Sequence, residues 1–478
     1  MTSAPPLLSS LIKRVGAQLT GLGISAAAPP LVALLLLPIF TYHVTPEEFG
    51  VWALLQVAGL IFGVFGSFGI LAAIPFYYTE EDDADLRAKK VGNILIWASL
   101  INGLILALML LFGAPLFHLL FPSVPFHPLI VLTLVQGALS PYIDTPVVAW
   151  KMKEKTGRVA AITLVRVVAV GAAQLYLVVA AGEGLYGLVA GGVAGSAVAA
   201  LFALATIRGE VAFWIDAHEL KKGLKLGAPS MPTAMFANIY RFADRIILER
   251  FVGHDVIGLY YLALRFGDLL KMGMDMLTQA FTPVFYKEAQ NEAGRPMLAR
   301  LAAILSAVFA VGALVTAVGG EAFVALTMAP RFHDAIFFLP FAVAAPLLKG
   351  NYAFPHLSVW LSKKSYYFPA ITVAPMIVSV ALNLWLIPLY GAYAAGGVMM
   401  AAFALHAGLT YVVGQRVMPM PYRYGAMAGV TGLAVALLFA GSPWGSDLPL
   451  PFRGGMALLL MVGASWLTVA PLLKEKTT

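Results

Sequence analysis

The chain has 478 residues, 60% of them hydrophobic and 12% charged, with mean hydropathy +0.85; a soluble domain carries about twice that charge fraction, so the excess apolar surface needs lipid. Cysteine is absent, which excludes disulfides, thiolate metal sites and cysteine nucleophiles. The net charge of +7 raises nucleic acid as a partner, but the cations fall between apolar runs, a placement that points to lipid headgroups and not to nucleic acid.

A hydrocarbon core of about 30 Å takes roughly 20 helical residues. Apolar runs predict spanning helices over 12–42, 48–78, 91–121, 127–150, 158–181, 185–207, 224–251, 256–285, 298–328, 336–361, 366–389, 392–414, 424–441 and 453–473, about fourteen in all. The first run is too long for a secretory leader, lacks a clear small-residue cleavage site and precedes many similar runs, so it reads as a span. Pro29 and Pro30 predict a kink in it. Gly59, Gly63, Gly66 and Gly69 in the second run, and Gly187, Gly191 and Gly195 in the sixth, have spacings that let neighbouring backbones approach closely. Most of the 31 Lys and Arg fall in alternate loops, among them Arg87, Lys89 and Lys90; Lys151, Lys153, Lys155 and Arg158; and Lys221, Lys222 and Lys225. Only Arg250, Arg331 and Arg453 fall in the others. This asymmetry places both termini in the cytoplasm, and a missed span would invert it downstream.

An internal repeat is visible without gaps. At an offset of 208, Lys13-Arg14 aligns with Lys221-Lys222, Gly50 with Gly258, Leu54 with Leu262, Pro75 with Pro283, Tyr78 with Tyr286 and Glu80 with Glu288. At 210, Trp150 and Lys153 align with Trp360 and Lys363. The polar, Gly and Pro coincidences argue against chance matching of apolar text. The expected organisation is a six-helix lobe over 1–215, a second over 216–415 with the same topology, and a two-helix addition over 416–478.

The opening Leu11-Ile12-Lys13-Arg14, the turn Pro46-Glu47-Glu48-Phe49-Gly50 and, above all, the stretch from Arg241 to Ala263 resemble the polysaccharide-export branch of the multidrug/oligosaccharidyl-lipid/polysaccharide superfamily, the Wzx-type flippases. The resemblance covers essentially the whole chain through diffuse motifs. It implies two six-helix lobes around a central cavity, a bacterial inner membrane, and a polyprenyl-pyrophosphate-linked oligosaccharide as substrate for O-antigen, exopolysaccharide or capsule synthesis, with polymerase machinery as a partner.

Ionisable groups at bilayer depth are functional hypotheses by default. They concentrate in the second half: Asn238, Arg241, Asp244, Arg245 and Glu249 in the seventh helix, Arg265, Asp268, Lys271, Asp275 and Gln279 in the eighth, and Lys349 in the tenth. The eighth-helix set falls within about 120° on a helical wheel, one polar face. Arg241, Arg245, Arg265, Lys271 and Lys349 outnumber Asp244, Asp268 and Asp275 by two, which suits a pyrophosphate carrying about two negative charges. These cations, with Arg166 of the fifth helix, are the expected pyrophosphate seat; Asp244, Asp268 and Asp275 are expected at an ion-coupling step. The competing reading pairs Arg241 with Asp244, Arg265 with Asp268, and Lys271 with Asp275 inside their own helices. Asp144 is the other embedded charge of the first half. His356 and His406 read as packing or hydrogen-bonded residues.

No cofactor and no metal are expected. No loop exceeds about twenty residues and no Gly-x-x-x-x-Gly-Lys-Ser/Thr loop exists, so a membrane glycosyltransferase or an ATP-hydrolysing transporter is disfavoured. A cation-coupled multidrug exporter would favour an acid in the first helix, where there is none. A lipid II flippase also suits fourteen helices and a cationic cavity. A scaffold leaves the embedded charges unexplained.

Overall fold

The computed structural model describes residues 24–66, 69–228, 242–351, 353–362 and 364–474, together with Met235. Its elements in chain order are α1 (Ile24–His43), α2 (Pro46–Gly66), a 3-10 turn (Ile70–Ala73), α3 (Ile74–Glu80), α4 (Ala84–Leu120), α5 (Val131–Ala138), α6 (Ser140–Met152), α7 (Thr156–Leu175), α8 (Gly184–Ile207) and α9 (Ala217–Gly227). After a helical segment over 242–248 come α10 (His254–Glu288), α11 (Arg295–Thr327), α12 (Leu339–Gly350), α13 (Ala353–Leu361), α14 (Phe368–Val417), α15 (Tyr424–Ala440) and α16 (Leu450–Lys474). The protein is an all-helical, multi-pass membrane protein. Among the described residues, nine helical stretches are long and apolar enough to cross a bilayer, and Ala27–His43 and Tyr424–Ala440 are shorter apolar helices. α10 is not among the nine, because Arg265, Asp268, Lys271 and Asp275 crowd three of its turns.

Local chemistry starts these helices where the sequence changes character. Thr45 and Glu48 form a reciprocal capping box at α2: the Thr45 N–H donates to Glu48 Oε2 at 2.8 Å, and the Glu48 N–H to Thr45 Oγ1 at 3.2 Å. Asp83 caps α4 and Asp216 caps α9, each accepting the N–H two residues on. α14 has 50 residues, about 75 Å as a single rod and far too long for one crossing. It breaks at Gly391, where φ 59 and ψ −140 suit glycine. The predicted helices 366–389 and 392–414 are its two legs.

The described chain forms two compact units, one running to Gly258 and the other starting at Leu259. In the first, α8 makes the close backbone approach its glycines predicted, and its partner is α7. A Cβ on Gly191 would sit 2.7 Å from the Gln174 backbone and one on Gly195 2.3 Å from Val170 Cα, so backbone meets backbone there. Helix α9 is clamped to the turn that follows α2 and to α3 and α4: Gly227 approaches the Gly69 carbonyl, Tyr77 of α3 donates to Glu219 at 3.0 Å, and the Asn93 side chain of α4 exchanges two hydrogen bonds with the Asp216 backbone. The repeat has a direct counterpart here. A Cβ on Gly50 would lie 1.9 Å from the His254 carbonyl oxygen, and one on Gly258 would lie 2.1 Å from the Pro46 carbonyl oxygen. Positions aligned by the 208-residue offset thus meet reciprocally, each glycine accepting the carbonyl four residues before its counterpart.

In the second unit α11 is the central element. Its Leu298, Ala302, Ala303, Leu305, Ala310 and Leu314 are buried in one apolar cluster with Val343, Leu347, Ala434 and Met461. The last two helices, α15 and α16, pack directly on α11.

Candidate functional site

The polar stripe of α10 forms as its spacing required. Asp268, Lys271, Asp275 and Gln279 are exposed and Arg265 is half-buried, while Ala263, Phe266, Gly267, Leu270 and Met274 are buried on the opposite side. That buried side is pressed onto α12. A Cβ on Gly267 would meet the Ala342 carbonyl at 2.2 Å, and the Met274 methyl occupies the space beside Gly350 that a Cβ would need. Such close approach fixes the rotation of α10, and with it the direction of the stripe.

Within the stripe the pairing proposed from spacing is present. Lys271 forms an ion pair with Asp275 one turn on, and Arg265 lies 3.8 Å from Asp268. Both pairs are loose in the sense that matters: the Lys271 and Asp275 side chains remain 49% and 52% exposed, and Asp268 51%. The Arg265 guanidinium also stacks over the Tyr261 ring, 4.2 Å from its centroid, which holds its charge in one orientation.

Lys349 is the penultimate residue of α12, where the span Pro330–Leu361 is interrupted before α13 begins at Ala353. Its ammonium lies 5.2 Å over the Phe403 ring of α14, one turn before His406 on the same helix face. The interruption is held by Asn351, which accepts from Ser306 of α11 at 2.9 Å and donates to Thr431 of α15 at 2.6 Å. A polar chain across three helices thus satisfies groups that a broken helix leaves in an apolar surrounding. His356 accepts a hydrogen bond from the Trp360 indole at 3.0 Å, in keeping with its reading as a hydrogen-bonded residue.

The remaining predicted residues stand elsewhere. Arg241 lies outside the described residues. Asp244 is buried and accepts from the Arg245 backbone N–H at 2.8 Å; both belong to the first unit. Arg166, exposed on α7, is within electrostatic reach of Asp144 on α6, so the two embedded charges of the first half address each other. The structure therefore groups Arg265, Asp268, Lys271 and Asp275 on one face and sets Lys349 on the helix packed against α10. It does not gather Arg166 and Arg245 with them in one unit.

Two polar clusters escaped the sequence reading. Glu321 of α11 and Arg453 of α16 form a buried ion pair, with Arg453 also donating to the carbonyls of Gly441 and Leu448 at 2.7 and 3.0 Å. Glu321 is an acid inside a long apolar run, and that signal was available. Ser123, Glu249 and His254 form the second cluster, between the turn after α4 and the turn before α10; their separation of about 130 positions along the chain hides it. Among the described residues no group of three or more His, Cys, Asp or Glu is arranged to hold a metal ion.

The family model described as "Polysaccharide biosynthesis protein" matches residues 19–288, more than half of the chain. A comparison with curated protein sequences gives no match. Among solved structures, the lipid II flippase MurJ in an inward closed conformation is similar over 94% of this chain and 99% of its own, with a TM-score of 0.69 and 12% identity. The MATE multidrug transporter DinF-BH is similar over 87% and 96%, TM-score 0.61 and 16% identity. The Vibrio cholerae MATE transporter VcmN is similar over 85% and 97%, TM-score 0.59 and 14% identity. The fold is thus the one shared by MurJ and the MATE transporters, and the chain belongs to the polysaccharide biosynthesis protein family.

Proposed function

We propose that this protein is a flippase that carries a polyprenyl-pyrophosphate-linked oligosaccharide across a bacterial inner membrane by alternating access, for assembly of a surface polysaccharide. Lobes 1–215 and 216–415 would flank the cavity, with α15 and α16 of the 416–478 addition beyond them and both termini in the cytoplasm. Lys349, Arg241, Arg265 and Lys271 would seat the pyrophosphate, with Arg245 and Arg166 contributing along the path, and Asp244, Asp268 and Asp275 would exchange an arginine or lysine partner for a coupling cation. The observation that carries this reading is the half-exposed charged stripe on α10, in a chain whose family is named for polysaccharide biosynthesis. Charges kept exposed on a helix of a membrane protein have a use only if water or an ionic ligand reaches them. A guanidinium and ammonium set suits phosphate oxygens.

A second reading, lipid II as substrate, is favoured by the MurJ similarity, whose TM-score exceeds those of the two MATE transporters described above. The two substrates share the polyprenyl pyrophosphate and differ in the group attached to it. The test is polymer export in cells lacking the chromosomal gene, complemented with wild type or Lys349→Ala at matched membrane levels. Export is expected to fall at least about tenfold in the variant, the effect of losing one charge-assisted contact. Unchanged export removes Lys349 from the seat. Loss of viability on depletion, with polymer unaffected, favours lipid II.

A further inference from the structure

The Ser123, Glu249 and His254 cluster is unusual for a turn. The Glu249 side chain is fully buried, although the helix over 242–248 has ended and its neighbour Arg250 is exposed. Its Oε1 accepts from the Ser123 N–H at 3.1 Å and from the Ser123 hydroxyl; its Oε2 lies 3.1 Å from His254 Nε2, which is also 2.8 Å from Ser123 Oγ. Arg250 adds a hydrogen bond to the Leu119 carbonyl at 2.7 Å. Residue types alone would fit an acyl-transfer triad, but the geometry does not. Serine and glutamate share one imidazole nitrogen, so the acid cannot orient the ring from its other side while Nε2 takes the serine proton. The arrangement is a clasp: every donor closes on one carboxylate.

The clasp fastens the Phe121–Pro125 turn to the turn 249–253. The carbonyl of His254 itself sits where Gly50 and Gly258 bring the starts of α2 and α10 together. Fastening and crossing therefore lie side by side, at the point where the two copies of the repeat touch. Pulling the 249–253 turn away would have to open both.

We propose that Ser123, Glu249 and His254 form a latch that holds the starts of α2 and α10 together in this conformation and parts when the protein opens on that side. The latch is tied to pH. The hydrogen bond to Glu249 raises the His254 imidazole above its ordinary range against the opposing effect of burial, and Glu47 of α2 and Asp255 of α10 add to it. Burial works against ionisation of Glu249, but hydrogen bonds from His254 and Ser123 outweigh it and keep the carboxyl below the usual range. The charged pair thus weakens as pH rises through the raised histidine value, and again as pH falls through the depressed carboxylate value. The proposal takes from the transport reading only that these turns face the outside.

Because the chain has no cysteine, a thiol placed at the latch reports without background. Val124 is 4% exposed, and Val124→Cys in the full-length protein, in right-side-out vesicles, is labelled with an impermeant maleimide. Rates are divided by those of the exposed Asp447→Cys, which cancels the pH dependence of the thiol itself. Glu249→Gln in the Val124→Cys background is expected to label about tenfold faster, and Ser123→Ala severalfold faster. Raising the pH from 6 to 9 is expected to speed Val124→Cys labelling but not that of its Glu249→Gln derivative. Elution profiles of the detergent-solubilised variants check folding, and if Glu249→Gln does not fold, Ser123→Ala decides. Equal normalised rates in variants and parent overturn the latch. Labelling confined to inverted vesicles overturns it through the orientation, whereas the Lys349→Ala export result stands or falls independently.

Discussion

Two ion pairs in the second unit show how differently one chemistry can be used. Arg453 and Glu321 come from α16 and α11, are 8% and 10% exposed, and leave little donor capacity unspent, since Arg453 also serves the Gly441 and Leu448 carbonyls. Lys271 and Asp275 sit one turn apart on α10, are about half exposed, and pair with each other within their own helix. A buried pair closed by extra hydrogen bonds is stable because any alternative strands a charge in an apolar surrounding. An exposed pair within one helix is worth little and exchanges partners easily. The first arrangement is a structural rivet for α16, and the second leaves charge available.

The largest effect that could break this contrast is at the rivet. Arg453→Met is expected to destabilise the protein by about 3–5 kcal/mol, as removal of one partner of a buried pair does. Thermal unfolding in detergent would show it, and adding Glu321→Met should restore most of the loss. A single variant as stable as wild type would mean that the pair is no rivet.

The Glu249 and His254 pair is intermediate, since it closes one turn, is tied to the Phe121–Pro125 turn only through Ser123, and leaves 14% of the His254 side chain exposed. Its loss in Glu249→Gln should cost about 1–2 kcal/mol. Its pH course follows from the signs. The histidine contribution is fully present below the ordinary value of 6.5 and is lost as pH rises through the raised folded value; the carboxylate contribution is present above its ordinary 4.5 and is lost as pH falls through the depressed one. Melting temperature should therefore hold a plateau from weakly acid to neutral pH and decline on both sides. The decline should flatten in Glu249→Gln.

The smallest stability effect sharpens the comparison most. Lys271→Ala and Asp275→Asn should each change stability by less than about 0.5 kcal/mol, yet lower export in the complemented strain if the stripe meets the substrate. Unchanged stability with unchanged export would leave the stripe without a transport role.

Much of this was legible along the chain. Long apolar runs marked where helices lie, and even the two legs of α14 were separated by the break between 389 and 392, but the predicted helix over 48–78 proves to be α2, a 3-10 turn and α3. The stripe on α10 followed from residues three and four apart, and a close backbone approach at α8 from glycines at every fourth position, although only the structure names α7 as the neighbour. The Gly50 and Gly258 encounter was foreshadowed by the repeat offset, although alignment gives equivalence and not contact. What escaped was polar partnership between distant segments. Glu321 and Arg453 stand 132 positions apart, Ser123 and His254 stand 131, and Asn351 joins Ser306 to Thr431.

The amino-acid sequence by itself determined that this is an all-helical membrane protein whose charges within apolar helices gather in the second half, because hydrophobic length and helical periodicity are properties of a local stretch of chain. Only the tertiary structure decided which charges are spent on holding helices together and which stay exposed. Whether a carboxylate is consumed depends on which donors from other helices reach it, and those distances do not exist until the helices pack.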